Sequence, residues 1–383
     1  MSSTLIVSDL HLGSNSGADL LRRPDLRAPL LEALGGVRRV VLLGDVLELR
    51  HGPMRAALAD ARPFFEDLGQ ALPGRELVIV AGNHDHALVE PWLARRGQER
   101  EPAPLVVEQL LEPAQVSAAL EQIAEWAAPA RVRVAYPGLW VRPDVYATHG
   151  HYLDCHLTVP TLERVSMGAM SRLLGRPAST FGAVDDYERI GAPLFAWRDA
   201  IAREAPTGAA LNGMATLTAW NALNGRPASI GRARGRGALA RRLRARAIAA
   251  GFPLAVAALN RAGLGPLRAD LSMAELRRAG LLAMGEVAAR LQLGDAYVVF
   301  GHTHRAGPLP GDEESEWRGR SGARLVNAGS WTYTSIFISD TPAPGPYWPG
   351  TCVLIEDHGP PSLRHLLHDR TCPQIAPRRS ASA

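Results

Sequence analysis

An α/β core is the fold class this sequence predicts, and three observations predict it. Six short apolar runs, most with the length and β-branched content of a strand, recur along the chain: Leu5–Val7, Val40–Leu43, Leu77–Val80, Val145–Ala147, Tyr297–Phe300 and Leu325–Val326. Helix-like segments separate the early runs, for example Asp25–Leu34 and Met54–Leu72, and this alternation belongs to layered α/β proteins. Every run leads into a polar cluster at its C-terminal end, which is where open α/β sheets hold their ligands.

In chain order, the first run leads into Ser8-Asp9-Leu10-His11 and the second into Gly44-Asp45. The third leads into Gly82-Asn83-His84-Asp85 and the fourth into His149-Gly150-His151. From about Leu157 to Leu293 the composition turns helix-like, rich in Ala, Leu and Arg, so this stretch reads as a mostly helical insertion between two halves of the core. The fifth run then leads into Gly301-His302-Thr303-His304, and the sixth into Asn327-Ala328-Gly329-Ser330. Gly307–Gly322 reads as a loop or long hairpin, and the Pro, Arg, Ser and Ala content from Cys372 onward as a disordered tail. The expected organisation is a first core half at 1–156, a helical basic cap at 157–293, a second core half at 294–371 and a tail at 372–383. Glycine in or beside most of the clusters suits tight turns and close backbone approach.

Composition limits the function classes. Hydrophobic residues make up 46% of 383, enough for a sizeable core in one large domain with an insertion, or in two domains. The net charge is +4 and the chain contains no Lys. That bias makes the Arg count alone a poor pointer to nucleic acid. Between Glu204 and Asp270 there is no acidic residue but there are ten Arg, eight of them from Arg226 to Arg246. With Leu239, Leu243 and Ala247 as a thin apolar stripe, this segment reads as a solvated basic face. The functional alternatives are an anion-attracting cap, a phosphate-rich partner or a membrane-surface helix. Cys155, Cys352 and Cys372 form no CxxC pair and no disulfide framework, which fits a reducing compartment. The longest membrane-like run, Ala247–Leu259, is thirteen residues, short of the roughly 20 a bilayer needs. No basic stretch followed by a long apolar one precedes Thr4, so no signal peptide is expected. The expected location is cytoplasmic, with the Arg-rich segment available for peripheral membrane contact.

The strand ends together supply Asp9, His11, Asp45, Asn83, His84, His149, His302 and His304. These are oxygen and nitrogen donors without thiolate, a set that suits divalent Mn, Fe, Co, Ni or Zn. Asp9 and His11 are two apart, as are His302 and His304, a spacing that can turn both side chains to one side of a strand end. Two metals about 3.5–4 Å apart can share a carboxylate, and Asp45 is the natural candidate.

The ordered motifs D-x-H, G-D, G-N-H-D, H-G-H and G-H-T-H resemble those of the calcineurin-like metallophosphoesterase family. The match spans Asp9 to His304 and covers both core halves but not the insertion. The resemblance implies a sandwich of two mixed β-sheets flanked by helices, in place of a single parallel sheet. It implies two divalent ions, Mn favoured, with Asp9, His11 and His304 on one, Asn83, His149 and His302 on the other, and Asp45 bridging. A bridging hydroxide would be the nucleophile on a phosphate ester or pyrophosphate. His84 would orient the phosphate or protonate the leaving oxygen, and Asp85 would hold the His84 tautomer.

His151 is an alternative to His149, or a residue facing substrate. His86 and His156 read as supporting or surface groups, and His51, His358, His365 and His368 as surface or loop residues. Glu48 reads either as a support for the site or as a helix start. The D-L-H-L-G and G-D-V-L-E forms, with a helical insertion, are similar to the UDP-diacylglucosamine hydrolase branch, which implies a lipid-linked pyrophosphate. The chain departs from that branch in carrying His84 where Arg is usual and in its longer insertion. The expected partner is therefore a phosphorylated small molecule or lipid-linked substrate. A nuclease of the same fold is the alternative, and an intact donor set argues against a non-enzymatic module.

Overall fold

The computed structural model describes residues 3–204, 251–338 and 345–377. Its strands are β1 (Thr4–Val7), β2 (Arg39–Leu43), β3 (Glu76–Val80), β4 (Gln109–Leu111), β5 (Arg131–Tyr136) and β6 (Gly138–Arg142). They continue with β7 (Val145–Thr148), β8 (Tyr297–Phe300), β9 (Ala306–Gly307), β10 (Arg324–Ala328), β11 (Thr351–Ile355) and β12 (Ser362–His365). The helices are α1 (Pro24–Ala33), α2 (Met54–Ala71), α3 (Glu90–Gly97), α4 (Pro113–Val116) and α5 (Ala118–Trp126). After them come α6 (Leu162–Leu173), α7 (Val184–Glu204), α8 (Met273–Arg290) and α9 (Cys372–Ile375). Residues 251–261 are also helical.

The strands form two mixed sheets, a seven-stranded one ordered β12-β11-β1-β2-β3-β5-β4 and a five-stranded one ordered β6-β7-β8-β10-β9. In each, parallel strands occupy the centre (β1, β2, β3 and β5; β7, β8 and β10) and antiparallel strands the edges. All six apolar runs are strands, and all six lie in these parallel centres.

Alternation along a strand explains the layering. Leu5 and Val7 on β1, and Val40 and Leu42 on β2, pack with Phe64, Phe65 and Leu68 of α2 in one buried cluster. The intervening Ile6 and Val41 face the other way, in a cluster with Val145, Val299 and Val326 of the second sheet. The two sheets therefore pack face to face. Both faces of the central strands are buried, so they read as unbroken apolar runs rather than alternating ones.

The outer face of the second sheet meets the inserted helices. Val298, Phe300 and Leu325 share a cluster with Met167 of α6, Tyr187 and Ile190 of α7, and Ala283, Met284 and Val287 of α8. Thus α8, expected inside the insertion, is a covering layer of the second sheet, and the boundary at residue 293 falls after it. Glu188 of α7 ties the insertion to the core: it accepts hydrogen bonds from Tyr136 (2.6 Å) and Tyr152 (2.5 Å) and lies 3.2 Å from His86 Nε2. A second correction concerns the tail. Cys372–Ile375 is helical, with a capping box from Thr371 and Gln374, and Ile375 is fully buried, so the chain is ordered past Cys372. The Arg226–Arg246 cluster and its apolar stripe lie outside the described residues.

Candidate metal centre

Strands β1, β2 and β8 end by turning the backbone sharply. Asp9 (φ +56°), His11 (+47°), Asp45 (+49°), His302 (+64°) and His304 (+58°) all adopt left-handed conformations. Only one other described non-glycine residue, Gln292, does so. Such residues cost on the order of 1–3 kcal/mol each and persist where surrounding structure over-determines them, commonly at functional sites. The neighbouring loops supply that determination. His11 N donates to Asp45 O (2.8 Å) and Asp9 N to Gly44 O (3.2 Å), so the ends of β1 and β2 run on side by side. Gly44, at φ +80°, lies against the His149 ring, where a Cβ would collide with it. At Gly301 a Cβ would collide with Ser8 and the Asp9 carboxylate.

The expected ligands converge. His304 Nε2 lies 3.1 Å from Asp9 Oδ1 and 3.3 Å from His11 Nε2. His149 Nε2 lies 3.3 Å, and His11 Nε2 3.6 Å, from the same Asp45 oxygen, Oδ2. Three groups have ligand atoms close enough to hold a metal ion: Asp9 with His11 and His304, Asp45 with His149 and His302, and His11 with Asp45 and His84. Asp45 Oδ2 therefore stands between the two expected half-sites, while its Oδ1 accepts from His84 N (2.8 Å).

The outer nitrogens of the rings decide which way the inner ones present themselves. His11 Nδ1 donates to Glu48 Oε2 (3.0 Å), His149 Nδ1 to the Leu43 carbonyl (3.0 Å) and His302 Nε2 to Asp154 Oδ2 (3.1 Å). His304 Nδ1 meets Thr332 Oγ1 at 3.2 Å. A carbonyl or an ionised carboxylate only accepts, so the ring nitrogen facing it carries the proton. In the neutral tautomer this leaves a lone pair on His11 Nε2, His149 Nε2 and His302 Nδ1, the nitrogens that point into the cluster. Metal-binding histidines are held in this way by a partner on the far nitrogen.

Asn83 fits the same pattern. With its amide oxygen inward, Oδ1 lies 3.1 Å from His149 Nε2 and 3.1 Å from His302 Nδ1, so three lone pairs face one point. Rotated, the NH2 group donates to both rings and the oxygen accepts from Arg50 Nη1 (3.1 Å). The first orientation serves a cation and the second replaces one. Asp9 Oδ1 is buried without a hydrogen-bond partner, the condition of an oxygen meant for a cation.

The electrostatics agree with a cation site. Burial works against charge on His11 and His149. Glu48, Asp45 and Asp9 outweigh it at His11, and Asp45 and Asp9 at His149, raising both to about 9. Burial would raise Asp9, but His304 and His149 bring it down to about 2. The pocket favours positive charge at its centre.

His84 and Asp85 divide their work differently from the expectation. Asp85 does not touch the His84 ring. Its Oδ1 accepts from Gly82 N (2.6 Å) and its Oδ2 from Val46 N (2.7 Å) and Leu47 N (3.2 Å), pinning the β3 loop to the β2 loop. The side chain turns toward these three backbone donors, which a buried carboxylate needs more than one imidazole. Burial and Asp45 push its carboxyl up to about 6. Glu48 holds His84 instead, with Oε2 at 2.9 Å and Oε1 at 3.0 Å from Nδ1. One carboxylate thus fixes both His84 and His11. Although burial works to raise Glu48, His84 and His11 hold it well below the usual carboxylate range. Its helix-start reading fails, because α2 begins at Met54. Burial first, with Arg50 against Glu48, brings His84 down to about 4, so its ring is neutral at physiological pH.

His151 is buried, with neither ring nitrogen hydrogen-bonded, and joins none of the groups that could hold a metal, whereas His149 of the same H-G-H does. His86 is buried in the Glu188 and Tyr136 network, and His156 meets the Tyr187 hydroxyl at 2.9 Å. Sequence reasoning missed Asp154, Thr332 and Arg50, whose guanidinium donates to the Asn83 carbonyl. Asp154 sits in a short turn, His151–Cys155, three residues after H-G-H, and an acid there was the available signal.

A cavity of about 380 Å³ opens from the site. His84, His302 and His304 line it together with the apolar Leu153, Leu157, Leu276, Leu281, Phe300 and Phe337. Among the described residues no helix is long and apolar enough to cross a membrane. Compared with family models and with curated proteins, the chain gives no match.

Proposed function

We propose that this protein is a hydrolase of phosphoester or phosphoanhydride bonds that depends on divalent metal. One observation carries the reading: rings from separate strand ends are fixed so that their lone pairs surround one oxygen of Asp45. Asp9, His11 and His304 would hold one ion and Asn83, His149 and His302 a second, with Asp45 shared. Bound there, such ions lower the pKa of water from about 15.7 toward about 7 and offset the charge of a phosphate. The donor set suits Mn, Fe, Co, Ni or Zn, with Mn favoured.

The chain's own contribution centres on His84. Its Nδ1 proton is committed to Glu48, which leaves Nε2 for the substrate side. Near neutral pH that nitrogen is an acceptor. It donates to a phosphate oxygen or a departing oxygen only after taking a proton, and Glu48 stabilises the resulting cation. A positioned acid–base group of this kind contributes roughly 10²- to 10⁴-fold.

The apolar wall of the cavity favours a phosphate that carries an apolar group over a strand of nucleic acid. This supports the lipid-linked pyrophosphate reading over the nuclease one. The test is elemental analysis of purified protein followed by hydrolysis of bis(4-nitrophenyl) phosphate, 4-nitrophenyl phosphate, a nucleotide-sugar lipid and single-stranded DNA. Metal-dependent turnover is expected, strongest on the lipid-linked pyrophosphate. His84→Ala should retain metal and lose about 10²-fold or more in turnover. No hydrolysis of any substrate with Mn, Zn, Fe or Co supplied would sink the proposal.

A further inference from the structure

Other residues lining the same cavity have the opposite chemistry. Arg305 directly follows His304, lines the cavity and is only 7% exposed. Its Nη2 donates to Asp312 (3.2 Å), but Nε and Nη1 are buried without a hydrogen-bond partner. The guanidinium lies over the Trp317 ring, 4.8 Å from the centroid. That contact uses the face of the cation and leaves the Nε and Nη1 hydrogens without acceptors. Trp317, 3% exposed and lining the same cavity, also buries its indole N–H without a partner. Arg277 of α8 lines the cavity as well and bonds from Nε to the Met273 carbonyl (3.1 Å). No described carboxylate pairs with Arg277. Tyr347 lies near both arginines: burial raises its phenol, and Arg277 and Arg305 oppose the rise.

Three buried donors without acceptors are costly unless something accepts from them, because native proteins pair nearly all such groups. We propose that Arg305, Trp317 and Arg277, none of them among the metal-holding residues, form an anion subsite for a second oxyanion of the substrate. The chemical class is a phosphate or carboxylate carried on the part of the substrate remote from the scissile bond. Arg recognises both through paired N–H groups. The subsite rests on the reading of this cavity as the substrate cavity, and it narrows the substrate to one with two acidic groups.

The test is calorimetric titration of the full chain with inorganic phosphate and, separately, acetate, before and after EDTA treatment. The wild type is compared with Arg277→Gln and Arg305→Met. Arg277 is partly exposed, so its variant reports even if the buried Arg305 variant fails to fold, and circular dichroism checks both. After EDTA treatment an oxyanion should still bind, and either substitution should weaken it about tenfold or more, the worth of one charge-assisted hydrogen bond. Phosphate binding alone assigns the subsite to a phosphate, and equal binding of acetate assigns it to oxyanions generally. Binding that disappears with EDTA, or that Arg277→Gln leaves unchanged, overturns the subsite. Oxyanion binding to the subsite without hydrolysis of any phosphoester would overturn only the proposed function, and hydrolysis with unchanged binding in the variants would overturn only the subsite.

Discussion

Two sets of residues lining the cavity differ in what their hydrogen-bonding groups lack. At the strand ends, imidazole lone pairs, the Asn83 amide and the Asp9 and Asp45 oxygens crowd together with too few donors among them. At Arg305 and Trp317, N–H donors are buried with too few acceptors. The first arrangement suits a cation and the second an anion. A substrate lying between them would meet metal at its scissile phosphate and arginine at a second acidic group. The difference teaches that unsatisfied groups are more informative than satisfied ones, because each states the charge of its missing partner.

The largest expected effect comes from breaking the acceptor set. Asp45→Asn removes the charge that both half-sites share, and turnover of bis(4-nitrophenyl) phosphate should fall by more than the roughly 100-fold upper effect of losing an outer partner. Metal content by elemental analysis should fall with it, and full metal retention would refute a shared ligand. Next is Glu48→Gln, which loosens His11 and His84 together. A loss of about 10- to 100-fold in metal affinity or turnover is expected. If only one of the two properties moved, the double duty of Glu48 would be wrong.

Asp85→Asn should act mainly on stability. It weakens three bonds from backbone N–H groups to a carboxylate, so unfolding in urea should show a loss of about 2 kcal/mol. The His84 ring nitrogen shifts by NMR should stay as in the wild type, whereas a change there would restore the tautomer role expected from sequence. The smallest effect sharpens the sign of the acceptor set. His11 and His149 are raised to about 9, so each carries a proton at neutral pH that a cation must displace. Metal binding should therefore release protons below about pH 9, and apparent affinity should rise with pH until that point. Calorimetry in buffers of differing ionisation heat reads the released protons directly, and none released at neutral pH would contradict the charge assignment.

The central strands were legible because burial on both faces makes them short apolar runs, and helices α1 and α2 began within one residue of their expected starts. The edge strands β4, β6, β9 and β12 were not anticipated, and neither were β11, fully buried between β12 and β1, and β5, which lies in the parallel centre. Strands at an edge need less apolar surface and so leave a weaker pattern. β5 carries Arg131 and Arg133 between its apolar residues, which breaks the unbroken run its neighbours show. The role of α8 was hidden by its position in the chain: its Ala-rich composition matches the insertion, and only packing against Val298 and Phe300 reveals it as a layer of the core.

By itself, the sequence determined the donor types, their order and their placement at the ends of buried strands, because burial and side-chain chemistry are properties of each residue. The tertiary structure decided everything that depends on direction. It gave Glu48 to two histidines, turned Asp85 toward backbone amides, placed His149 and not His151 in a group that could hold a metal, and left Arg305 Nε and Nη1 without acceptors beside Trp317. Direction is set by loop backbone angles and by neighbours distant in the chain, and neither is carried by a residue's own identity.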